Sequence, residues 1–125
     1  MTEKSLWTWV KGNAPKTWHL VRVENSLTAG TPDVNYCSHS GMEGWVELKH
    51  APHVRKDGVP EWGHKLTPQQ AHFLGRRNAN QSCSGILCQV KRERFFIPAA
   101  YAAEFNSLTL EQLREYDILQ EWLKN

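Results

Sequence analysis

The sequence predicts a single α/β domain in which helices flank a central mixed β-sheet. Its 125 residues are enough for one hydrophobic core but not for two. Segments with strand-like and helical patterns follow one another in the order α-β-β-β-α-β-β-α. The apolar run GILCQV at residues 85–90 is typical of a buried strand.

The composition excludes two broad classes of protein. With 40% hydrophobic and 22% charged residues, the chain is not of the disordered type. No apolar run approaches the roughly 20 residues that a membrane span needs, and residues 1–12 lack the apolar centre of a signal peptide. The expected location is therefore the cytoplasm. The net charge of +2 says little about partners by itself.

The first half of the chain predicts a helix and then three strands. Residues 2–13 form the helix, which Pro15 stops. Residues 17–24 alternate as a strand does, and a loop leads into a second strand, PDVNYCS, at 32–38. The turn SHSG then precedes a third strand, GWVELKHA, at 44–51.

The second half begins with a polar segment, residues 50–65, which predicts a loop of about 15 residues, and loops of that length are often functional. The next helix has a clear start, because Thr67 is a natural N-cap and Gln70 completes a capping box. After the 85–90 strand, residues 91–94 predict a charged bend and FFIP a short last strand. A second capping box opens a C-terminal helix over about 109–124.

The second and third strands bring charged side chains together. Residues of a strand alternate between its two faces, so Glu47 and Lys49 share one face of the third strand. The register that matches apolar with apolar residues sets Val34 opposite Val46. It therefore also sets Asp33 opposite Glu47 on the same face.

Two facing carboxylates repel each other unless one is protonated or a cation lies between them. Mg²⁺ is usually held by one or two carboxylates together with water and substrate phosphate. A divalent metal beside a lysine suits phosphodiester hydrolysis, because the metal makes a hydroxide available and the ammonium orients the water. On the hairpin alone, a solvated sheet face with an ordinary Glu–Lys pair remains an equal alternative.

Three further residues favour the chemical interpretation. Gly30 allows a close approach of the backbone before the second strand. Glu24 ends the first strand, where it either adds a carboxylate to the same edge or is an exposed strand-end charge. Gln70 shares a helix face with Leu74, so it points toward the sheet unless it only closes the capping box.

The pattern formed by Glu24, Pro32-Asp33 and Glu47-Leu48-Lys49 resembles the PD-(D/E)xK nuclease superfamily. The segment LTPQQ at 66–70 and the GILCQV strand are similar to the small virus-type replication-repair (VRR-NUC) and phage-encoded nucleases, and to the archaeal Holliday-junction resolvases. The resemblance covers roughly residues 17–97 of the 1–125 domain and leaves out the C-terminal helix. It implies a restriction-endonuclease-like core.

The resemblance also implies an activity: metal-dependent hydrolysis of DNA, structure-selective or weakly sequence-specific, in replication, recombination or repair. Asp33 and Glu47 would bind Mg²⁺ or Mn²⁺, and Lys49 would be the catalytic lysine. Gln70 matches the glutamine on the helix after the core strands, and Glu24 completes the candidate catalytic set.

One departure from the family concerns a further glutamate. Many members carry one on an N-terminal helix, where this sequence offers only Glu3. Glu24 on its strand substitutes for it, or the site works without one.

The implied partner is DNA, whether branched, duplex or single-stranded, and the implied location is the host cytoplasm if the protein is phage-encoded. A homodimer is also implied, since junction-cleaving relatives act as dimers. Trp62 in the long loop is a candidate for stacking on a base, or else covers the sheet edge. Basic residues expected to contact phosphates are Lys16, Arg22, Arg55, Lys56, Lys65, Arg76 and Arg77.

Two alternatives come from other classes of protein. A catalytically inactive nuclease fold would bind nucleic acid or protein only, but it has no reason to retain the awkward pair of Asp33 and Glu47. A structural zinc protein would use Cys37 and the histidines, although their spacing matches no closed zinc pattern. The three cysteines are an odd number without CxxC spacing, so reduced thiols are expected.

Overall fold

The computed structural model describes residues 3–23, 29–80 and 83–125. Within them the strands are β1 (His19–Arg22), β2 (Val34–Cys37), β3 (Glu43–Ala51), β4 (His53–Val54), β5 (Pro60–Glu61), β6 (Gly85–Val90) and β7 (Glu93–Pro98). Five strands form a mixed sheet in the order β1-β2-β3-β6-β7. In it, β3 and β6 run parallel and the other neighbours are antiparallel.

Helices cover both faces of this sheet, which confirms the predicted fold class. They are α1 (Glu3–Asn13), α2 (Pro68–Ala79), a 3₁₀ helix (Ala99–Ser107), α3 (Leu110–Tyr116) and α4 (Leu119–Leu123). Both predicted capping boxes are present, at the starts of α2 and α3. No helix among the described residues is long and apolar enough to cross a membrane.

The hydrophobic core has two parts, one on each face of the sheet. On one face, α1 and α4 pack through Leu6 and Trp122 against a cluster that includes Leu48 of β3. On the other face, α2 and the 3₁₀ helix pack through Leu74 and Phe105. The central strand β3 is therefore covered on both sides, which decides the environment of its charged residues.

The predicted register between β2 and β3 is confirmed, because Val34 pairs with Val46. The alternation is confirmed as well: Val34 and Tyr36 are buried, while the residues between them are half-exposed. Asp33 directly precedes β2, one position beyond the last paired residue, and so continues the ladder toward Glu47.

The prediction of one C-terminal helix over 109–124 is wrong, since the chain forms α3 and α4 with a break between them. At the break, Asp117 Oδ1 accepts hydrogen bonds from the backbone N–H groups of Phe96 (2.8 Å) and Leu119 (2.9 Å). The N–H of Ile118 donates to the Phe96 carbonyl at 3.0 Å. These hydrogen bonds to the open edge of β7 interrupt the helix. Helix propensity does not predict the break, because the break depends on contacts between distant residues.

The prediction of a loop over 50–65 is also wrong, because the segment contains the small antiparallel pair β4 and β5. The carbonyl of Gly58 in its turn accepts a hydrogen bond from Leu110 at 2.8 Å, which ties the hairpin to the start of α3. Trp62 is buried and stacks on Phe105 with ring centroids 4.8 Å apart, so it is not free to stack on a base. This segment is part of the packed structure.

Two boundaries differ from the prediction by a few residues. The charged bend is limited to Lys91 and Arg92, because β7 already begins at Glu93. Lys91 has a positive φ of 53°, which gives the sharp turn between β6 and β7. The strand predicted over 17–24 is shorter, His19–Arg22. The 3₁₀ helix at Ala99–Ser107 was not predicted.

Candidate active site

Asp33 lies at the start of β2, with its carboxylate turned toward β3. Its Oδ2 accepts a hydrogen bond from the backbone N–H of Leu48 at 2.9 Å. Its Oδ1 lies 3.5 Å from a guanidinium nitrogen of Arg22, and the Asp33 side chain is 27% exposed. These contacts fix the carboxylate against the central strand while leaving part of it open to solvent.

Glu47 and Lys49 lie side by side on β3 and are almost completely buried. The Glu47 and Lys49 side chains are each 3% exposed, and the Lys49 ammonium is 3.5 Å from Glu47 Oε2. The same ammonium donates a hydrogen bond to the Lys65 carbonyl at 3.3 Å. The alternative of a solvated sheet face is therefore wrong, because this face of β3 is covered.

Gln70 connects helix α2 to the carboxylate of Glu47. Its amide oxygen accepts from the Thr67 backbone N–H at 2.9 Å, which closes the capping box. Its amide nitrogen donates to Glu47 Oε2 at 3.1 Å. Gln70 therefore has both of the roles that the sequence left open. Its amide oxygen closes the capping box, and its amide nitrogen points toward the sheet.

Burial, together with the nearby negative charge of Asp33, raises the pKa of Glu47 to about 8, while the positive charge of Lys49 partly opposes the rise. Burial therefore favours the protonated form of this carboxyl group in the metal-free protein. Glu47 Oε1 is buried and has no hydrogen-bond partner among the described residues. A cation next to this oxygen would supply what the protein itself does not.

Glu3 is a residue that the sequence pointed to only weakly. It opens α1, and burial raises its pKa while the charges of Lys49 and Asp33 act on it from nearby. The helix is anchored on the sheet by Leu6 and Val10, which brings its first turn to the site. Two sequence features pointed to Glu3. They are the helical spacing of Leu6 and Val10 and the family pattern of a glutamate on an N-terminal helix.

The backbone at Gly30 closely approaches helix α2, as the position of this glycine before β2 predicted. Its φ is +86°, and a Cβ atom there would lie 2.6 Å from the backbone of Gln69 in α2. The loop that carries Asp33 is thus packed directly onto the helix that carries Gln70. Glu24 lies outside the described residues.

The predicted phosphate contacts lie in different parts of the surface. Arg22 faces the site through Asp33. Arg55 pairs with Asp57 at 2.6 Å in the turn between β4 and β5. The remaining predicted contacts are all exposed: Lys16, Lys56, Lys65, Arg76 and Arg77.

The donor set suits a hard cation held by few protein ligands. Among the described residues, no group of three or more histidine, cysteine, aspartate or glutamate side chains is arranged to hold a metal. The zinc alternative therefore gains no support, and the described cysteines are free thiols. Mg²⁺ requires only one or two carboxylates beside water and phosphate, so Asp33 and Glu47 fit it.

No family model matches this sequence, and no curated protein matches it either. Among solved structures, the fold is similar to that of Hjc, a Holliday junction resolvase from the archaeal hyperthermophile Archaeoglobus fulgidus, with 13% sequence identity and a TM-score of 0.64. The likeness covers 95% of this chain and 93% of that one, so it is not confined to residues 17–97 as the sequence resemblance suggested. The chain therefore has the fold of a Holliday-junction resolvase, which confirms the resemblance drawn from its sequence at the level of the fold.

Proposed function

We propose that this protein is a metal-dependent endonuclease that hydrolyses DNA phosphodiester bonds. The observation that carries the proposal is the buried Glu47–Lys49 pair beside Asp33, in the fold of a resolvase. A buried carboxylate with an unpartnered oxygen is unfavourable for stability. Its presence next to a second carboxylate is typical of a site built for a cation.

In this proposal Asp33 and Glu47 would be the ligands of Mg²⁺ or Mn²⁺. Asp33 is oriented by the Leu48 N–H, and Glu47 by the amide of Gln70. When bound, the metal supplies charge stabilisation at the phosphate and an acidified water. These two protein contacts hold each carboxyl group in a defined orientation, as hydrogen bonds to metal ligands commonly do.

Lys49 is the proposed catalytic lysine. Its ammonium is held between Glu47 and the Lys65 carbonyl, which fixes the direction in which its remaining hydrogen can point. A lysine in this position orients a water near the phosphate and stabilises negative charge as it develops. Removing its charge should therefore reduce the chemical step more than DNA binding.

The proposed substrate is DNA with a branched or otherwise distorted structure, acted on in the cytoplasm. Arg22 beside the site and exposed lysines and arginines around it would contact the phosphates. The sequence contains no segment that resembles a recognition helix, which favours selection by shape. Two symmetric cuts in a junction need two sites, so we propose that the active form is a homodimer.

The test is a cleavage assay with Mg²⁺ on a four-way junction, a linear duplex and a single strand. We expect metal-dependent scission, and a loss of at least about a hundredfold in Asp33→Ala and Lys49→Met. Glu104→Ala, which removes an exposed carboxylate in the 3₁₀ helix, is the matched control and should retain activity. DNA binding without scission would instead indicate a catalytically inactive nuclease fold. Cleavage that persists in Asp33→Ala would indicate a contaminating nuclease.

A further inference from the structure

Helix α2 has a second face, which lies beside the face that carries Gln70 and Leu74. Residues 69, 72, 73, 76, 77 and 80 follow helical spacing, and they line a cavity of about 670 Å³ together with Ala29 and Pro68. We call this cavity the outer groove. Its volume is within the range of about 300–1,000 Å³ that is usual for small-molecule sites.

Phe73 lines the outer groove and forms an aromatic surface with the neighbouring Trp45, which lies outside the groove lining, and a cation lies over both rings. The rings of Phe73 and Trp45 meet edge to face with centroids 5.5 Å apart. The guanidinium of Arg77 lies 5.1 Å from the centroid of Phe73 and 5.7 Å from that of Trp45. Both rings are only half-buried, so part of this surface is open to a ligand.

The charge of the groove is positive. Arg76 and Arg77 occupy the last turn of α2, and the helix contains no acidic residue. Neither arginine forms a salt bridge within the described part of the chain, and none of the residues lining the groove is acidic. Cations at a helix C-terminus are favoured by the helix dipole alone, but the dipole does not explain an open aromatic ring beside them. A flat ring with two cations matches a base and its phosphate.

The groove lies near the candidate active site, since its Phe73 contacts Trp45 on the strand that carries Glu47. Trp45 and Glu47 are two residues apart on the same face of β3, about 7 Å along the strand. Gln69, which lines the groove, is followed in α2 by Gln70, which donates to Glu47. A DNA strand with its phosphate at Asp33 and Glu47 therefore has its neighbouring nucleotide next to the outer groove.

We propose that the outer groove binds one unpaired nucleotide of the DNA, with its base against Phe73 and its phosphate between Arg76 and Arg77. The relation of this subsite to cleavage rests on the proposed nuclease function, whereas the binding itself does not. The substrate class that follows is DNA in which a single-stranded segment adjoins the duplex next to the scissile bond. A base inside an intact duplex is stacked on both sides and cannot occupy the groove.

Binding is measured without metal, in EDTA, with a duplex that carries a single-stranded extension labelled with 2-aminopurine and with the same duplex blunt-ended. We expect the extension to bind more tightly and the probe fluorescence to change as its base stacks. Phe73→Leu keeps an apolar side chain against Trp45 but removes the stacking ring, and should weaken extension binding about tenfold. Arg76→Ala should also weaken it and lower its dependence on salt.

Arg92→Ala, in the exposed turn between β6 and β7, is the matched control and should bind as the parent protein does. Circular dichroism melting verifies that each variant is folded, and Arg76 is exposed, so its variant tests the groove even if Phe73→Leu unfolds. Extension binding that is unchanged in Arg76→Ala and in folded Phe73→Leu would overturn the subsite. If the protein cleaves no DNA in Mg²⁺ but extension binding still requires Phe73, the nuclease proposal fails and the subsite stands.

Discussion

At the residue scale, the two oxygens of the Glu47 carboxyl group have different surroundings. Oε2 receives a hydrogen bond from Gln70 and lies next to the ammonium of Lys49. Oε1 is equally buried but has no partner among the described residues. An unsatisfied buried acceptor costs about 1–3 kcal/mol, which a cation or a proton at Oε1 would offset. Burial is the main cause of the raised pKa of Glu47, and in the proposed function a cation would take the place of the proton at this carboxyl group.

Glu3 should contribute negative charge to the proposed metal site without being an essential ligand. We expect Glu3→Gln to weaken Mg²⁺ binding about fivefold, the effect of losing roughly 1 kcal/mol of charge interaction near the protein surface. The measurement is the Mg²⁺ concentration that gives half-maximal cleavage, supported by calorimetric titration with Mn²⁺. Glu104→Gln, at an exposed position in the 3₁₀ helix, is the control. An unchanged metal requirement in Glu3→Gln would show that α1 only packs beside the site.

At the scale of elements, the site depends on how two pieces of chain are held against β3. The start of α2 supplies Gln70, whose conformation is fixed by the Thr67 cap. The turn before β2 supplies Asp33, and this turn contacts α2 through Gly30. The contact between Gly30 and the helix backbone therefore holds the turn that carries Asp33 against the helix that carries Gln70.

Alanine substitutions at Gly30 and Gly41 distinguish the loss of this contact from the ordinary loss of stability when a glycine with positive φ is replaced. Gly30 and Gly41 have the same φ of +86°, but a Cβ atom at Gly41 meets nothing within 4 Å, whereas at Gly30 it meets the Gln69 backbone at 2.6 Å. Both alanine variants should lose about 1–2 kcal/mol of stability to backbone strain. Only Gly30→Ala should lose more than that, together with at least about tenfold in cleavage rate, because Asp33 shifts.

Urea unfolding and cleavage rates of the two variants test this comparison. If Gly30→Ala and Gly41→Ala are destabilised equally and both retain activity, the packing of the turn on α2 does not position Asp33. The Gly41 variant is the matched control, since its turn between β2 and β3 lies at the other end of the same strand.

At the scale of the whole molecule, the charged side chains of Glu47 and Lys49 lie on β3, the middle strand of the five-stranded sheet. β3 pairs with β2 on one side and with β6 on the other, and helices cover both of its faces. Glu47 and Lys49 are consequently buried in the centre of the fold, where desolvation is costly. Global stability is therefore linked to the protonation state of the site.

Stability should fall as the pH rises from about 5 to 8. The folded protein has a Glu47 pKa of about 8, above the ordinary 4.5, so between these values it holds a proton that the unfolded chain has released. Each such proton contributes a slope of about 1.4 kcal/mol per pH unit. Urea unfolding in EDTA at several pH values measures this slope.

Glu47→Gln should flatten the dependence, and Glu61→Gln, at an exposed position in β5, should leave it unchanged. Added Mg²⁺ should stabilise the parent protein more at pH 8 than at pH 6, because the metal requires the deprotonated carboxyl group. An equal slope in the parent and in Glu47→Gln would mean that another group controls the pH dependence.

Several features were predictable because they depend on neighbours along the chain. The alternation of apolar and polar residues in β2 and β3 determined their register, and that register alone places Asp33 beside Glu47. The capping boxes at Thr67 and Thr109 located two helix starts. The core strand at 85–90 followed from its apolar composition.

The remaining features depend on contacts between distant residues, which no local pattern contains. The helix break at Asp117 arises from the edge of β7, and the burial of Trp62 arises from Phe105. The sequence by itself determined which side chains share a face with Lys49, because strand periodicity is local. Only the tertiary structure decided that this face is buried, that Glu3 reaches it and that Gln70 donates to Glu47. The pKa of Glu47 belongs to the second group, since desolvation is a property of the packed molecule and not of the chain.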